Sequence, residues 1–346
     1  DMGLPSREPG HARPGGDPRG AAHRGGPRPR ERGGDRRAPG RLTALLAALL
    51  AAGPAASETL RVAAWGAELS REGPGLLLRD ILSGEDAQVA AVAEVLAEVR
   101  PDLLLLTAFD WDRDGAALAA LAARLAEEGL DYPHRFAPEP NAGMATGIDL
   151  DGDGRVGARD AQGYGRFAGD GGMALLSRWP LGEARDLSGL LWRDLPGARM
   201  PVRADGSPFP SGEAAAVQRL SSAGHWVVPV EAPGGTVTVL AWAATPPVFD
   251  GPEDRNGLRA GDELRLWARL LDGDLGPAPE GAFVLMGLSN LDPADGEGPR
   301  ADMAAMLADP RLQDSRPASA GGRLDADPAH RGDPALDTAD WPAAAE

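Results

Sequence analysis

Four consecutive leucines, Leu103–Leu106, follow directly on Pro101-Asp102. A strand with no polar break is apolar on both faces, so a packed layer must cover each side of it. Ahead of it, between Glu85 and Val99, the apolar residues Val89, Val92, Ala93, Leu96 and Val99 keep helical spacing, and Pro101 ends that helix. A second helix is predicted over Ala116–Glu128, with Gly129 as its stop. Further strands are predicted at Leu60–Trp65, Met173–Ser177, His225–Val230, Thr236–Trp242 and Ala282–Gly287, and a third helix at Asp262–Leu271. Residues 137–172 read as a long Gly/Asp loop. Such a mixture of strands and helices implies a layered α/β domain, and no repeat of solenoid period is present.

That pattern begins only at Glu58. Residues 1–41 are mostly Gly, Pro and Arg, and offer too little apolar surface to offset their ordering entropy. An apolar run, Leu42–Ala52, then leads to Gly53-Pro54-Ala55-Ala56-Ser57. An arginine-rich flank, a short apolar run and small residues with Ala55 and Ser57 two apart have the layout of an export signal. A buried Ala/Leu helix is the alternative, disfavoured because no amphipathic period is visible. Arg36-Arg37 is compatible with a twin-arginine signal, although a pair in so arginine-rich a segment says little. The run is too short to span a bilayer, which takes about 20 residues. The chain therefore divides into a leader, 1–57, and an exported domain, 58–346.

Of the formal net charge of −17, the leader's ten arginines and five acids contribute +5, leaving −22 on the domain. That balance gives no signature of a sequence-independent grip on nucleic acid, which needs excess basic residues. The absence of cysteine excludes disulfides, thiolate metal sites and a cysteine nucleophile.

The sharpest local motif is Asp149-Leu150-Asp151-Gly152-Asp153-Gly154-Arg155-Val156-Gly157-Ala158-Arg159-Asp160. Carboxylates at loop positions one, three, five and twelve, glycine at six and the Arg155 carbonyl at seven are the oxygen set that Ca2+ takes. The segment is similar to the calcium loop of EF-hand and dockerin modules, with Asp160 where Glu is commoner. The cation would be structural, ordering a loop. An acidic, glycine-rich surface turn is the alternative.

Two other segments directly follow predicted strands: Thr245-Pro246-Pro247-Val248-Phe249-Asp250-Gly251-Pro252-Glu253-Asp254-Arg255-Asn256-Gly257, and Gly287-Leu288-Ser289-Asn290-Leu291-Asp292-Pro293. With Leu60–Trp65, Leu103–Asp110 and Gly172–Pro180, they resemble the endonuclease/exonuclease/phosphatase superfamily, and specifically an exported bacterial branch that carries the Thr245–Gly257 stretch. The resemblance runs in order from about Leu60 to Trp341. It implies an α/β fold of two packed mixed β-sheets flanked by helices, a four-layer sandwich. It also implies metal-assisted phosphoester hydrolysis where the strand ends meet.

Position by position, the resemblance places Gly66 where the family has Asn, Ala108 where it has a metal-binding Glu, and Ala243 where it has a catalytic His. Leu288 stands in place of an Asp. Of the matched positions only Asn290 is retained, and the family's closing strands with their Asp-His pair are expected beyond Glu346. The Mg2+ or Mn2+ expected for the family thus lacks its Glu. Phosphoester hydrolysis needs a cation on the phosphoryl oxygens, a base for water and an orienting group, and Ala108, Ala243 and Leu288 supply none of these. Asp110, Asp112, Asp250 and Asp292 are nearby carboxylates that could form a displaced metal site, but read more readily as turn formers. Arg178, in Ser177-Arg178-Trp179-Pro180, reads equally as a phosphate contact and as the end of a strand before a turn. His225, beside Trp226 in a strand, reads as a core residue.

Three readings follow: an exported pseudoenzyme that binds a phosphoester ligand or a partner through the old cleft, with Arg178 and Asn290 as contacts; an active hydrolase or nuclease with displaced metal ligands; or a truncated, non-functional fragment.

Overall fold

The computed structural model describes residues 59–339. The arginine-rich leader, its apolar run and the expected export signal lie outside the described residues, as does Trp341. Eight strands form two mixed four-stranded sheets. The first contains β1 (Val62–Leu69), β2 (Leu103–Phe109), β3 (His134–Phe136) and β4 (Gly172–Ser177), in the order β1-β2-β4-β3. The second contains β5 (Arg185–Asp186), β6 (Gly224–Ala232), β7 (Gly235–Ala243) and β8 (Ala282–Leu288), in that order. β1 and β2 are parallel, as are β7 and β8, while the other pairs are antiparallel.

The leucine run explains the layering. Leu104 and Leu106 point into the core under the first group of helices, and Leu103 and Leu105 into the core between the sheets; all four are fully buried. Opposite faces of one strand thereby serve two cores, as the period of two requires. The helices on the first sheet are α1 (Leu76–Ser83), α2 (Ala87–Val99) and α3 (Ala116–Glu127). The Asp86 side chain caps α2 by accepting from the Val89 N–H at 2.8 Å. On the second sheet, α5 (Arg255–Leu271) and α6 (Arg300–Leu307) cover Leu240 and Trp242 with Leu264, Trp267 and Met306. Two shorter helices, α4 (Gly212–Val217) and α7 (Ala320–Leu324), lie in connections.

The differences from expectation have physical causes. The first strand reaches Leu69 rather than Trp65, because a bulge in its pairing with β2 carries it past Gly66. α5 starts at Arg255 rather than Asp262 because its inward face is polar: Arg259, Asp262 and Glu263 are all buried there, which defeats an apolar periodicity test. β3, β5, α1, α4, α6 and α7 were not predicted; most are too short to show a period. Among the described residues no strand follows Leu288; β1 and β3 are the edge strands of the first sheet, and β5 and β8 those of the second.

Candidate functional site

The C-terminal ends of β1, β2, β7 and β8 lie at one end of the sandwich. Pro140-Asn141 links the two sheets there: Pro140 lies against Gly172 at the start of β4, and the Asn141 N–H donates to the Ala223 carbonyl just before β6, at 2.9 Å. Asn141 also donates through Nδ2 to the Ser188 and Ser221 carbonyls, both at 2.8 Å.

At this end Gly66, Ala108, Ala243 and Leu288, positions that the resemblance singles out, carry no polar side chain, but only Ala243 and Leu288 pack into a core, Gly66 being exposed and Ala108 half-buried. Ala243 is buried and Leu288 partly buried in the core between the sheets. Gly66 lies within β1, opposite Thr107, whose buried hydroxyl has no partner among the described residues. Ala108 occupies the bulge at the end of β2 with φ +52°, a left-handed conformation unusual for alanine. No carboxylate stands at Ala108, so its side chain does not fit a magnesium or manganese ion at that position. Asn290 also has a positive φ, +53°, and its Nδ2 donates to the Ala244 carbonyl at 2.8 Å.

The neighbouring carboxylates are engaged by backbone. Asp110 accepts from the Arg71 N–H at 2.8 Å and the Gly171 N–H at 3.1 Å; burial pushes its pKa up while those two bonds oppose the rise. Asp112 accepts from the Ala116 and Ala117 N–H groups at the start of α3. Asp250 accepts from the Asn256 N–H, and Asp292 from the Ala294 and Asp295 N–H groups. Asp112, Asp250 and Asp292 are local turn or cap residues, whereas Asp110, expected as a turn former, is buried and joins two segments distant in sequence.

Arg178 is not brought to this site. Ser177 pairs with Leu103, so Arg178 flanks the N-terminal end of β2 at the opposite end of the sheet, where its Nη1 contacts Asp102 Oδ1 at 2.8 Å. The turn reading of Ser177–Pro180 is the one this geometry favours.

The acidic loop lies at the strand-end side, in the connection between β3 and β4. Asp149, Asp151 and Asp153 offer carboxylate oxygens within 4.8 Å of one another and could hold a metal ion. Position twelve departs from the expected ligand set. Asp160 is 3% exposed and turns inward, its Oδ1 accepting from the Leu150 and Asp151 N–H groups at 2.7 and 3.2 Å and its Oδ2 from Gly157 at 2.6 Å. It therefore shapes the loop rather than joining the cluster. Arg155 is exposed, and its N–H donates to Asp153. No helix precedes the loop, and its last three residues, Ala158–Asp160, form a single 3-10 turn. Burial together with Asp160 and Asp153 pushes the Asp151 pKa up, against the Asp153 N–H and Arg159, and Arg159 Nε contacts Asp151 at 3.1 Å. The other end of Arg159 donates to the Phe249 carbonyl at 2.8 Å, tying the acidic loop to the segment after β7.

Sequence reading missed Glu263. On α5 and fully buried, it accepts from the Ser222 N–H and hydroxyl and from the Thr245 N–H at 2.6 to 2.8 Å, and so fixes where the Thr245–Gly257 segment begins. Burial pushes its pKa up. Its spacing from Arg259 on one helix face was the available signal.

A comparison with curated proteins gives no match. Among solved structures, an endonuclease/exonuclease/phosphatase from Beutenbergia cavernae DSM 12333 is 20% identical, with a TM-score of 0.45; the alignment covers 75% of this chain and 56% of that one. The chain thus spans little more than half the length of that relative. Sphingomyelinase C from Streptomyces griseocarneus is 19% identical over 79% of this chain and 81% of that one, with a TM-score of 0.43. A beta toxin from Staphylococcus aureus with bound magnesium ions is 12% identical over 74% and 72%, with a TM-score of 0.39. Residues 79–338 match the family model of the Endonuclease/Exonuclease/phosphatase family, and the chain belongs to that family.

Proposed function

We propose that the chain is a non-catalytic member of this family of phosphoester hydrolases, exported, and acting by binding a phosphoester ligand or a partner. The observation that carries the reading is the packing of Ala243 and Leu288 into the core between the sheets. Positions that would need a proton donor and a water-orienting carboxylate are part of a hydrophobic core. Loss of a single general acid or base costs roughly 10²–10⁴-fold in rate. With the metal ligand replaced by Ala108 as well, little acceleration is left. The alternative of an active enzyme with displaced ligands would recruit Asp110, Asp112, Asp250 or Asp292, and each of these already holds backbone N–H groups.

Ca2+ at Asp149, Asp151 and Asp153 belongs to the same reading as a structural ion. Export rests on the Leu42–Ser57 signal layout, and no helix among the described residues is long and apolar enough to cross a membrane. The test is an assay of the full chain on p-nitrophenyl phosphate esters and plasmid DNA with Mg2+, Mn2+ and Ca2+. No turnover is expected; metal-dependent turnover abolished by a chelator overturns the reading.

A further inference from the structure

Arg255 and Arg259 lie one turn apart on α5 and are both buried, at 6% and 3% exposure. Arg259 is well partnered: its Nε donates to the Leu220 carbonyl and its Nη2 to the carbonyls of Gln162, Arg219 and Ser221. Arg255 is not. Its Nε has no partner among the described residues, and Asp151, Asp160 and Asp250 act on it only through space. A buried, unpaired guanidinium is strongly unfavourable unless something supplies its counter-charge.

None of those three carboxylates hydrogen-bonds to it, and each is engaged elsewhere. Asp160 holds three loop N–H groups, Asp151 takes Arg159 and the Asp153 N–H, and Asp250 takes the Asn256 N–H. The guanidinium therefore lies between the acidic loop and the segment after β7 with donor capacity to spare. Its Nε and Nη groups form a planar fork that matches two oxygens of a phosphoryl group. Two further features raise the potential there: the positive end of the seventeen-residue α5, at whose first residue Arg255 stands, and a second guanidinium, Arg159, close enough to act on it.

We infer that Arg255 is the fixed donor of an oxyanion site that takes a phosphate or phosphomonoester, entering between the Asp149–Asp160 loop and the Val248–Asp254 segment. The inference deepens the ligand-binding reading above and rests on it for the class of ligand alone. The site is built on residues other than the substituted strand-end positions. The neighbouring carboxylates oppose an incoming anion, so affinity is expected to rise when a cation loads the acidic loop.

The test uses the full chain treated with EDTA, titrated with inorganic phosphate and with phenyl phosphate, against chloride at equal ionic strength. Melting temperature and 31P line width are the readouts. Both phosphates are expected to raise the melting temperature and broaden the 31P signal. A stronger effect of the ester identifies an organic phosphoester as the ligand, and equal effects identify free phosphate. Arg255→Gln is expected to weaken binding at least tenfold, while Arg178→Gln leaves it unchanged. Should Arg255→Gln not fold, Arg255→Lys keeps the charge but loses the fork and is expected to weaken binding severalfold. Wild-type protein that responds to phosphate no more than to chloride overturns the inference, and so does undiminished binding by a folded Arg255 variant. Detection of hydrolysis would overturn the proposed function without touching this site.

Discussion

The Asn290 side-chain amide donates to the Ala244 carbonyl at 2.8 Å and so ties the segment after β8 to the end of β7. Asn290 is thus committed through its side chain to holding two strand ends together. Its φ of +53° adds a second constraint, since asparagine tolerates the left-handed region better than most residues. Asn290→Gly keeps the backbone and loses the hydrogen bond, at a cost of about 1 kcal/mol. Asn290→Ala loses the bond and also strains the backbone, costing about 2 kcal/mol. Urea denaturation that ranks the two variants the other way would remove Asn290 from this clamping role.

Ala108 has a bulged, left-handed backbone at the end of β2, a conformation that costs an alanine energy. Relief of that strain favours glycine, against the greater chain entropy that glycine loses on folding. Ala108→Gly is expected to stabilise the domain by up to about 1 kcal/mol. A loss of stability in the same denaturation experiment would show that the alanine methyl group contributes packing that outweighs the strain.

The layering was legible because its signal is local and periodic. Leu103–Leu106 announces a strand buried on two faces, and Val89, Val92 and Leu96 announce the helix that covers one of them. That Ala108, Ala243 and Leu288 bring no polar side chain to the strand ends is likewise visible without coordinates. The use of the side chains that remain was not legible. The resemblance puts the Ser177–Pro180 segment beside the site and so makes Arg178 a candidate phosphate contact, but strand direction decides which end of the sheet it occupies, and β4 runs antiparallel to β2. Asp160 satisfied the spacing of a calcium ligand, yet the chain's turn brings three N–H groups to its carboxylate instead. Arg255 and Glu263 were hidden because buried polar residues break an apolar pattern.

The different roles of Asp153 and Asp160 give separable outcomes. Asp153 is exposed within the three-carboxylate cluster, and Asp160 is buried under three amides. Asp153→Asn is expected to leave the melting temperature unchanged in EDTA and to reduce the rise produced by Ca2+. Asp160→Asn places an amide NH2 against backbone donors and is expected to cost about 2 kcal/mol with or without Ca2+. Calorimetric titration with Ca2+ and paired melts in EDTA check both, and a wild-type chain that takes up no Ca2+ removes the structural ion altogether.

The Arg178–Asp102 pair is more than half exposed on the arginine side, and exposed ion pairs contribute little. Arg178→Ala is expected to cost less than about 1 kcal/mol and to leave phosphate binding untouched. A large loss of binding would place a ligand at that end of the first sheet.

His225 is expected to make the domain acid-sensitive well above the carboxylate range. Its ring is fully buried beside Trp242 and Trp267, with centroid separations of 5.5 and 5.2 Å. Nε2 faces the Glu263 carbonyl at 3.0 Å and must donate to it, which leaves Nδ1 to accept from the Ser221 hydroxyl. The native ring is therefore neutral, and burial lowers its pKa to about 3. The unfolded chain protonates near 6.5, so the contribution of this group is complete above that pH and is lost as pH falls toward about 3. The slope is about 1.4 kcal/mol per pH unit, or roughly 2 kcal/mol between pH 6.5 and 5, a window above most carboxylate titrations. Denaturation of wild type and His225→Gln across that window checks the assignment. The wild type should lose stability as the pH falls while the variant, less stable at pH 7, stays nearly flat; parallel curves would assign the acid sensitivity to other groups.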